Sequence, residues 1–159
     1  MRITIAAIGR LKAGAERVLL ERFIDRAGKA GRQLGLTFAV REFPESRAAV
    51  AATRIDQEAA AMIASLPAGA VVVALDEAGK NLDSRGFAEQ LAKWREAGVA
   101  DLIFAIGGAD GHGAPLIKRA DLRLAFGALT WPHQLVRLML AEQLYRAVTI
   151  LTGHPYHRG

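Results

Sequence analysis

Short runs of β-branched and apolar residues recur along this chain, and the intervals between them carry helical spacing. That alternation restricts the fold more than any other feature. Runs at 3–8, 36–43, 70–75, 101–106 and around 122–126 are bounded by turn residues and read as strands. Two of them, 70–75 and 101–106, are apolar without alternating, as expected for strands covered on both faces of a parallel sheet. Between the runs, 13–30, 45–66 and 84–97 carry helical periods, and Asp83 is placed to cap the third of these. A short helix at 114–120 and a closing helix at about 132–151 complete the order. An α/β class follows: a largely parallel sheet, right-handed crossovers and helices on both faces. With 159 residues there is room for one domain, and 52% hydrophobic against 23% charged residues suffices for a core.

Several chemistries are excluded at once. The chain has no cysteine, so disulfides, thiolate nucleophiles and cysteine-held zinc or iron–sulfur sites are ruled out. The apolar run 3–8 is shorter than a signal-peptide core, and Arg137, Glu142 and Arg146 interrupt the longest apolar stretch near the C-terminus. We therefore expect a soluble, cytoplasmic protein that engages no membrane. Starting from Gly111, a dinucleotide-binding G-x-G-x-x-G pattern would need a glycine where Leu116 stands. A Walker loop would need Gly-Lys-Ser/Thr where Gly113-Ala114-Pro115 stands. Serine-hydrolase, zinc-protease and kinase signatures are absent as well.

Charge is distributed unevenly. The net charge is +5, yet residues 1–111 hold 15 Lys/Arg against 14 Asp/Glu, while 112–159 hold six against two, together with all four histidines. A basic, histidine-bearing end suggests a polyanionic partner, with a solvated basic surface as the plain alternative. The closing helix is apolar nearly all round, from Leu135 to Leu151, so it is either buried in its own core or packed against a second subunit.

Ligands in open α/β sheets bind beyond the carboxyl ends of the strands. Three such ends stand out: 75–80, the glycine-rich 107–113 and 126–132. Asp76 and Glu77 are adjacent carboxylates, but neighbours at a strand end point in opposite directions, which disfavours a paired acid and base. Asp110 is open to acting as a base, holding a polar group or capping a turn. The glycine-rich segment either makes a tight turn or lets a ligand approach the backbone closely. The tail, His154-Pro155-Tyr156-His157-Arg158, gathers proton-moving, stacking and phosphate-gripping groups within a few residues. A solvated end is the alternative there, and two histidines without a third ligand make a weak metal signal, so no metal is expected.

Taken together, Leu75-Asp76, the run 104–111, Ala128-Leu129-Thr130-Trp131-Pro132-His133, Leu135-Val136-Arg137, the run 141–147 and the tail 154–158 resemble the RlmH family. These are SPOUT-class methyltransferases that act on N3 of a pseudouridine in 23S ribosomal RNA of the large subunit. The resemblance spans the chain and is strongest from Val71 onward. It implies a single SPOUT domain over 1–159, homodimers, and a deep C-terminal trefoil knot formed mainly by about 71–159, which holds S-adenosylmethionine. Carried onto this chain, the cofactor positions are Leu75, Gly107, Phe126, Gly127, Ala128, Leu129, Thr130 and Trp131. Ala109-Asp110 stands where the family more often has Pro-Glu, and Trp131 where leucine is common.

In this reading the acceptor N3 must lose a proton, and His157 and Tyr156 are the candidates to assist. Arg158, with Arg137 or Arg146, would hold phosphate or the base. The partner would be large-subunit RNA, in the subunit or the whole ribosome. Two rival readings remain: a SPOUT enzyme acting on another RNA such as transfer RNA, and a non-catalytic RNA-binding assembly factor.

Overall fold

A computed structural model describes residues 1–157. Five parallel strands form one sheet: β1 (Arg2–Ile8), β2 (Thr37–Phe43), β3 (Val71–Asn81), β4 (Asp101–Ile106) and β5 (Leu122–Ala125), in the order β2-β1-β4-β3-β5. The helices between and after them are α1 (Ala15–Gly31), α2 (Ala51–Ala64), α3 (Ser84–Glu96), α4 (Ala114–Arg119) and α5 (His133–Leu151).

The two-residue period of the strands separates the core into two layers. Ile3, Ile5, Leu102, Phe104 and Ile106 face one side, where they pack with Leu20 of α1, Leu91 of α3 and Leu140 and Leu144 of α5. Ala6, Ile8, Ile103 and Ala105 face the other, against Ala59 and Met62 of α2 and Leu116 of α4. Both faces are covered, which explains why these strands show no polar alternation.

Asp83 caps α3 as expected, its Oδ1 accepting the Gly86 N–H at 2.7 Å. Two boundaries differ from the sequence expectation. Helix α2 begins at Ala51 rather than near residue 45, because side chains of the helix itself hold 44–50 as a loop. Arg54 donates to the carbonyls of Ala48 and Ala49, and Glu58 accepts the Ser46 N–H at 2.9 Å. Strand β3 does not stop at Leu75. It pairs through Leu75 with Leu124, bulges outward, and rejoins β5 with Lys80 again opposite Leu124. A Cβ on Gly79 would lie 2.7 Å from the backbone of Arg123 and Leu124, so only glycine lets the returning chain pass so close.

Helix α5 packs against α1 and α3 through one buried face comprising Arg137, Leu140, Ala141, Leu144 and Val148. Much of its apolar surface is thus used within the chain. Leu135 remains 37% exposed, and Leu138 and Met139 are half-buried. Among the described residues, no helix is long and apolar enough to cross a membrane.

Candidate active site

The loops at the carboxyl ends of β3, β4 and β5, with the start of α5, enclose a cleft of about 700 Å³. Its walls come from 75–77, 106–112, 124–127, 129–133 and Val136. Of the positions assigned to a cofactor, Leu75, Gly107, Phe126, Gly127, Leu129, Thr130 and Trp131 line it. Ala128 is exposed on the same loop without lining the cleft.

Each wall has an identifiable cause. The β3 bulge projects Asp76 and Glu77 in different directions, as neighbours on an extended chain must. Asp76 accepts from the Ala78 N–H at 2.8 Å and from Arg123 at 3.0 Å, while Glu77 accepts the Thr130 hydroxyl at 2.9 Å. Burial works to raise the pKa of Asp76, but the Ala78 N–H and Arg123 outweigh it and leave the carboxyl below its ordinary range. The pair therefore braces loops and does not share a proton.

In the glycine-rich loop, a Cβ on Gly107 would lie 2.6 Å from the Gly111 carbonyl oxygen, so the loop can fold on itself only without a side chain there. Asp110 forms a two-pronged ion pair with Arg54, at 2.7 and 3.2 Å, and that pairing holds its carboxyl below the usual range. Asp110 is an anchor between the loop and α2, not a base. His112 donates from Nε2 to the Leu75 carbonyl at 3.1 Å and joins two cleft walls. Burial lowers its pKa, so it stays neutral near pH 7. On the last wall, the Trp131 indole N–H donates to the Phe126 carbonyl at 3.0 Å, and Asn81 accepts the Gly127 N–H at 2.8 Å.

Arg137 corrects a sequence expectation. It was a candidate to hold phosphate or the base, but its side chain is fully buried and donates to the carbonyls of Gly9 and Ile8 and to Glu42. Its Nη2 also lies 3.4 Å from His133 Nδ1. No hydrogen-bond capacity of Arg137 reaches solvent.

The tail residues are grouped elsewhere. Tyr156 donates to Glu142 at 3.0 Å, lies 4.6 Å from the Tyr145 ring by centroids, and is covered by the Arg146 guanidinium at 5.0 Å. Burial and the Glu142 carboxylate raise the pKa of the Tyr156 hydroxyl. Both ring nitrogens of His157 are shielded from solvent without a hydrogen-bond partner. Arg158 lies outside the described residues. In one chain, Glu142, the tail's partner on α5, follows the cleft residue Val136 by six residues, roughly 9 Å of helix.

The sequence places His112 in the glycine loop and His133 in the 128–133 motif without giving either a role, and it does not show that Asp110 pairs with Arg54.

Fold and cleft define an α/β protein that takes a small ligand at the carboxyl ends of its strands. The chain matches the family model described as "Predicted SPOUT methyltransferase" over residues 1–157. It is 58% identical over 160 residues to the ribosomal RNA large subunit methyltransferase H of Nitrobacter hamburgensis, with 100% of both chains covered. Proteins of the same name from Bradyrhizobium diazoefficiens and Brucella anthropi are each 55% identical over 159 residues, with 99% of each chain covered. Among solved structures, it is distantly similar to the SpoU methyltransferase AviRb from Streptomyces viridochromogenes in complex with AdoMet. That likeness has a TM-score of 0.42 and 14% identity, and covers 96% of this chain and 61% of that one. The chain belongs to the SPOUT methyltransferases and, within them, to the ribosomal RNA large subunit methyltransferase H family.

Proposed function

We propose that this protein methylates large-subunit ribosomal RNA using S-adenosylmethionine, with N3 of a pseudouridine as the acceptor. The observation that carries the reading is full-length kinship at 55–58% identity with enzymes of that name, joined to a cleft at the expected strand ends. The cleft suits the cofactor in size and chemistry. Leu75, Ile106, Leu124 and Phe126 offer apolar surface for an adenine, and the loops 107–111 and 126–131 offer backbone groups for its edges. Asp76 and Glu77 place negative charge on the same rim, which favours a cationic sulfonium. When bound, S-adenosylmethionine supplies an electrophilic methyl group for in-line transfer.

The chain's own residues position and deprotonate. Glycine loops fix the walls, and the braces of Asp76, Asp110 and His112 keep them in place, so alignment of the acceptor supplies most of the rate. His157 and Tyr156 assist loss of the N3 proton and Arg158 holds phosphate or the base, while Arg146 is paired with Glu142 and covers the Tyr156 ring. The reading includes a homodimer in which one subunit's tail serves its partner's cleft. The exposed Leu135 and half-buried Leu138 and Met139 would contribute to the interface. A single SPOUT domain over 1–159, a trefoil knot over about 71–159 and a cytoplasmic address belong to the same reading.

Deleting residues 156–159 is expected to abolish methyl transfer to large ribosomal subunits while cofactor affinity by calorimetry stays nearly intact. Full activity of the truncated protein would overturn the role given to the tail. Sedimentation as a stable monomer at micromolar concentration would overturn the dimer.

A further inference from the structure

The cations of the C-terminal third are largely consumed inside the fold. Arg137 is buried, Arg123 is paired with Asp76 and Arg146 with Glu142. Arg119 binds Asp121 and the Ala70 carbonyl, just ahead of β3, so it and Lys118 stand at the edge of the sheet opposite the cleft.

Besides Lys80 on the β3 return, unpaired cations beside the cleft come from the other end of the chain. The loop after β1 exposes Arg10 and Lys12, and the loop after β2 exposes Arg47. None of the three has an ion pair or side-chain hydrogen bond among the described residues. The two loops are joined, because the Gly9 N–H donates to the Phe43 carbonyl at 2.8 Å. They also adjoin the cleft: Gly9 accepts from Arg137 at 3.0 Å, and Arg137 touches His133, which lines the cleft wall. Of the nearby carboxylates, Glu42 is engaged, accepting from the Leu11 N–H, Arg17 and Arg137, while the exposed Glu45 sits against Gly9 and leaves the three cations in the majority. Leu11, the one large apolar residue of the β1 loop, is buried. The surface is therefore three free cations with no apolar centre, which suits a sugar-phosphate backbone better than a folded protein partner.

We propose that Arg10, Lys12 and Arg47 form a phosphate-gripping shoulder that docks the backbone of the RNA substrate beside the cleft. This rests on the reading of the protein as an RNA methyltransferase. Phosphate contacts fix register without reading sequence. The shoulder thus acts on substrate capture, whereas the cleft acts on the chemistry.

The test is the triple variant Arg10→Ala/Lys12→Ala/Arg47→Ala, with Lys118→Ala at the opposite edge as control. With large ribosomal subunits, the triple variant should raise KM about tenfold or more near 150 mM salt and lower the salt slope of binding by roughly 2 to 3. Its kcat and cofactor affinity should match the wild type, and Lys118→Ala should change none of these. Unchanged KM and slope would overturn the proposal, as would a parallel loss of cofactor affinity. A second arm measures filter retention of deproteinised large-subunit RNA at low salt, without cofactor. The triple variant should again bind more weakly. If the wild type shows no affinity for that RNA, or if the variant is impaired only with intact subunits, a protein contact is indicated and the shoulder is not an RNA site. If the wild type transfers no methyl group at all, the enzymatic reading fails, while the retention arm still decides the docking surface.

Discussion

Along β1 and β2, the carboxyl edge of the sheet is tied by a buried guanidinium: Arg137 reaches from the last helix to the carbonyls of Ile8 and Gly9 and to Glu42. Along β3, β4 and β5, the same edge is shaped by missing side chains, with Gly79 and Gly107 allowing backbone to pass backbone where any Cβ would collide. One stretch is fixed by a buried guanidinium bonded through its two terminal nitrogens, the other by close steric fit. The first is braced from within by the last helix and serves as a foundation. The second keeps a cleft because its walls are thin and its braces, Asp76, Asp110 and His112, stand around the space and not across it.

The contrast can be broken most forcefully at Arg137. Replacing it with methionine strands the carbonyls of Ile8 and Gly9 and takes one of three partners from Glu42, and should cost roughly 3 kcal/mol in urea unfolding. Arg137→Lys should recover only a minor share, since one ammonium cannot span the same acceptors. A loss under about 1 kcal/mol would mean that the charged stretch is no better fixed than the rest. The glycine stretch is tested next by Gly79→Ala. Its new methyl group meets the Arg123 and Leu124 backbone, so a loss of about 1–3 kcal/mol is expected in thermal unfolding. Cofactor affinity should weaken with it, which Arg137→Lys should show to a lesser degree.

The smallest effect lies at the seam, where His112 links β3 to the glycine loop. Its pKa falls from 6.5 chiefly through burial, opposed by the Leu75 carbonyl and Asp76. The folded state therefore resists a proton that the unfolded chain accepts. The contribution of the neutral ring is complete above about pH 6.5 and is lost as acidification carries the solution down through the lower folded value. Wild type should lose stability between pH 7.5 and 5 more steeply than His112→Gln. Parallel slopes would remove His112 from the account.

Most of the architecture was legible because buried parallel strands and amphipathic helices leave strong periodic signals, as at 70–75, 101–106 and 84–97. The return of β3 after Leu75 was not, since residues 76–81 have the composition of a loop and pair only because Gly79 tolerates the contact. The start of α2 was masked because Arg54 and Glu58 reach back to bond the residues that precede the helix. Arg137 was misjudged as a surface cation. Its spacing offered a warning, for 137, 140, 141, 144 and 148 share the face of α5 that turns inward. Charge counted along the chain points to the C-terminal third, but it does not show that Arg119, Arg123, Arg137 and Arg146 are paired, nor that Arg10, Lys12 and Arg47 on the loops after β1 and β2 are not. The cleft positions followed from the resemblance and the rule of strand ends, and seven of the eight line the observed space.

The guanidinium tie spans 128 residues of chain to Gly9. At a synthesis rate of roughly 5–20 residues per second, β1 is made some 6–26 s before Arg137. Throughout that interval the Ile8 and Gly9 carbonyls lack their guanidinium partner. Until α5 is made, the chain thus carries an unlocked first edge, and that helix supplies the closure.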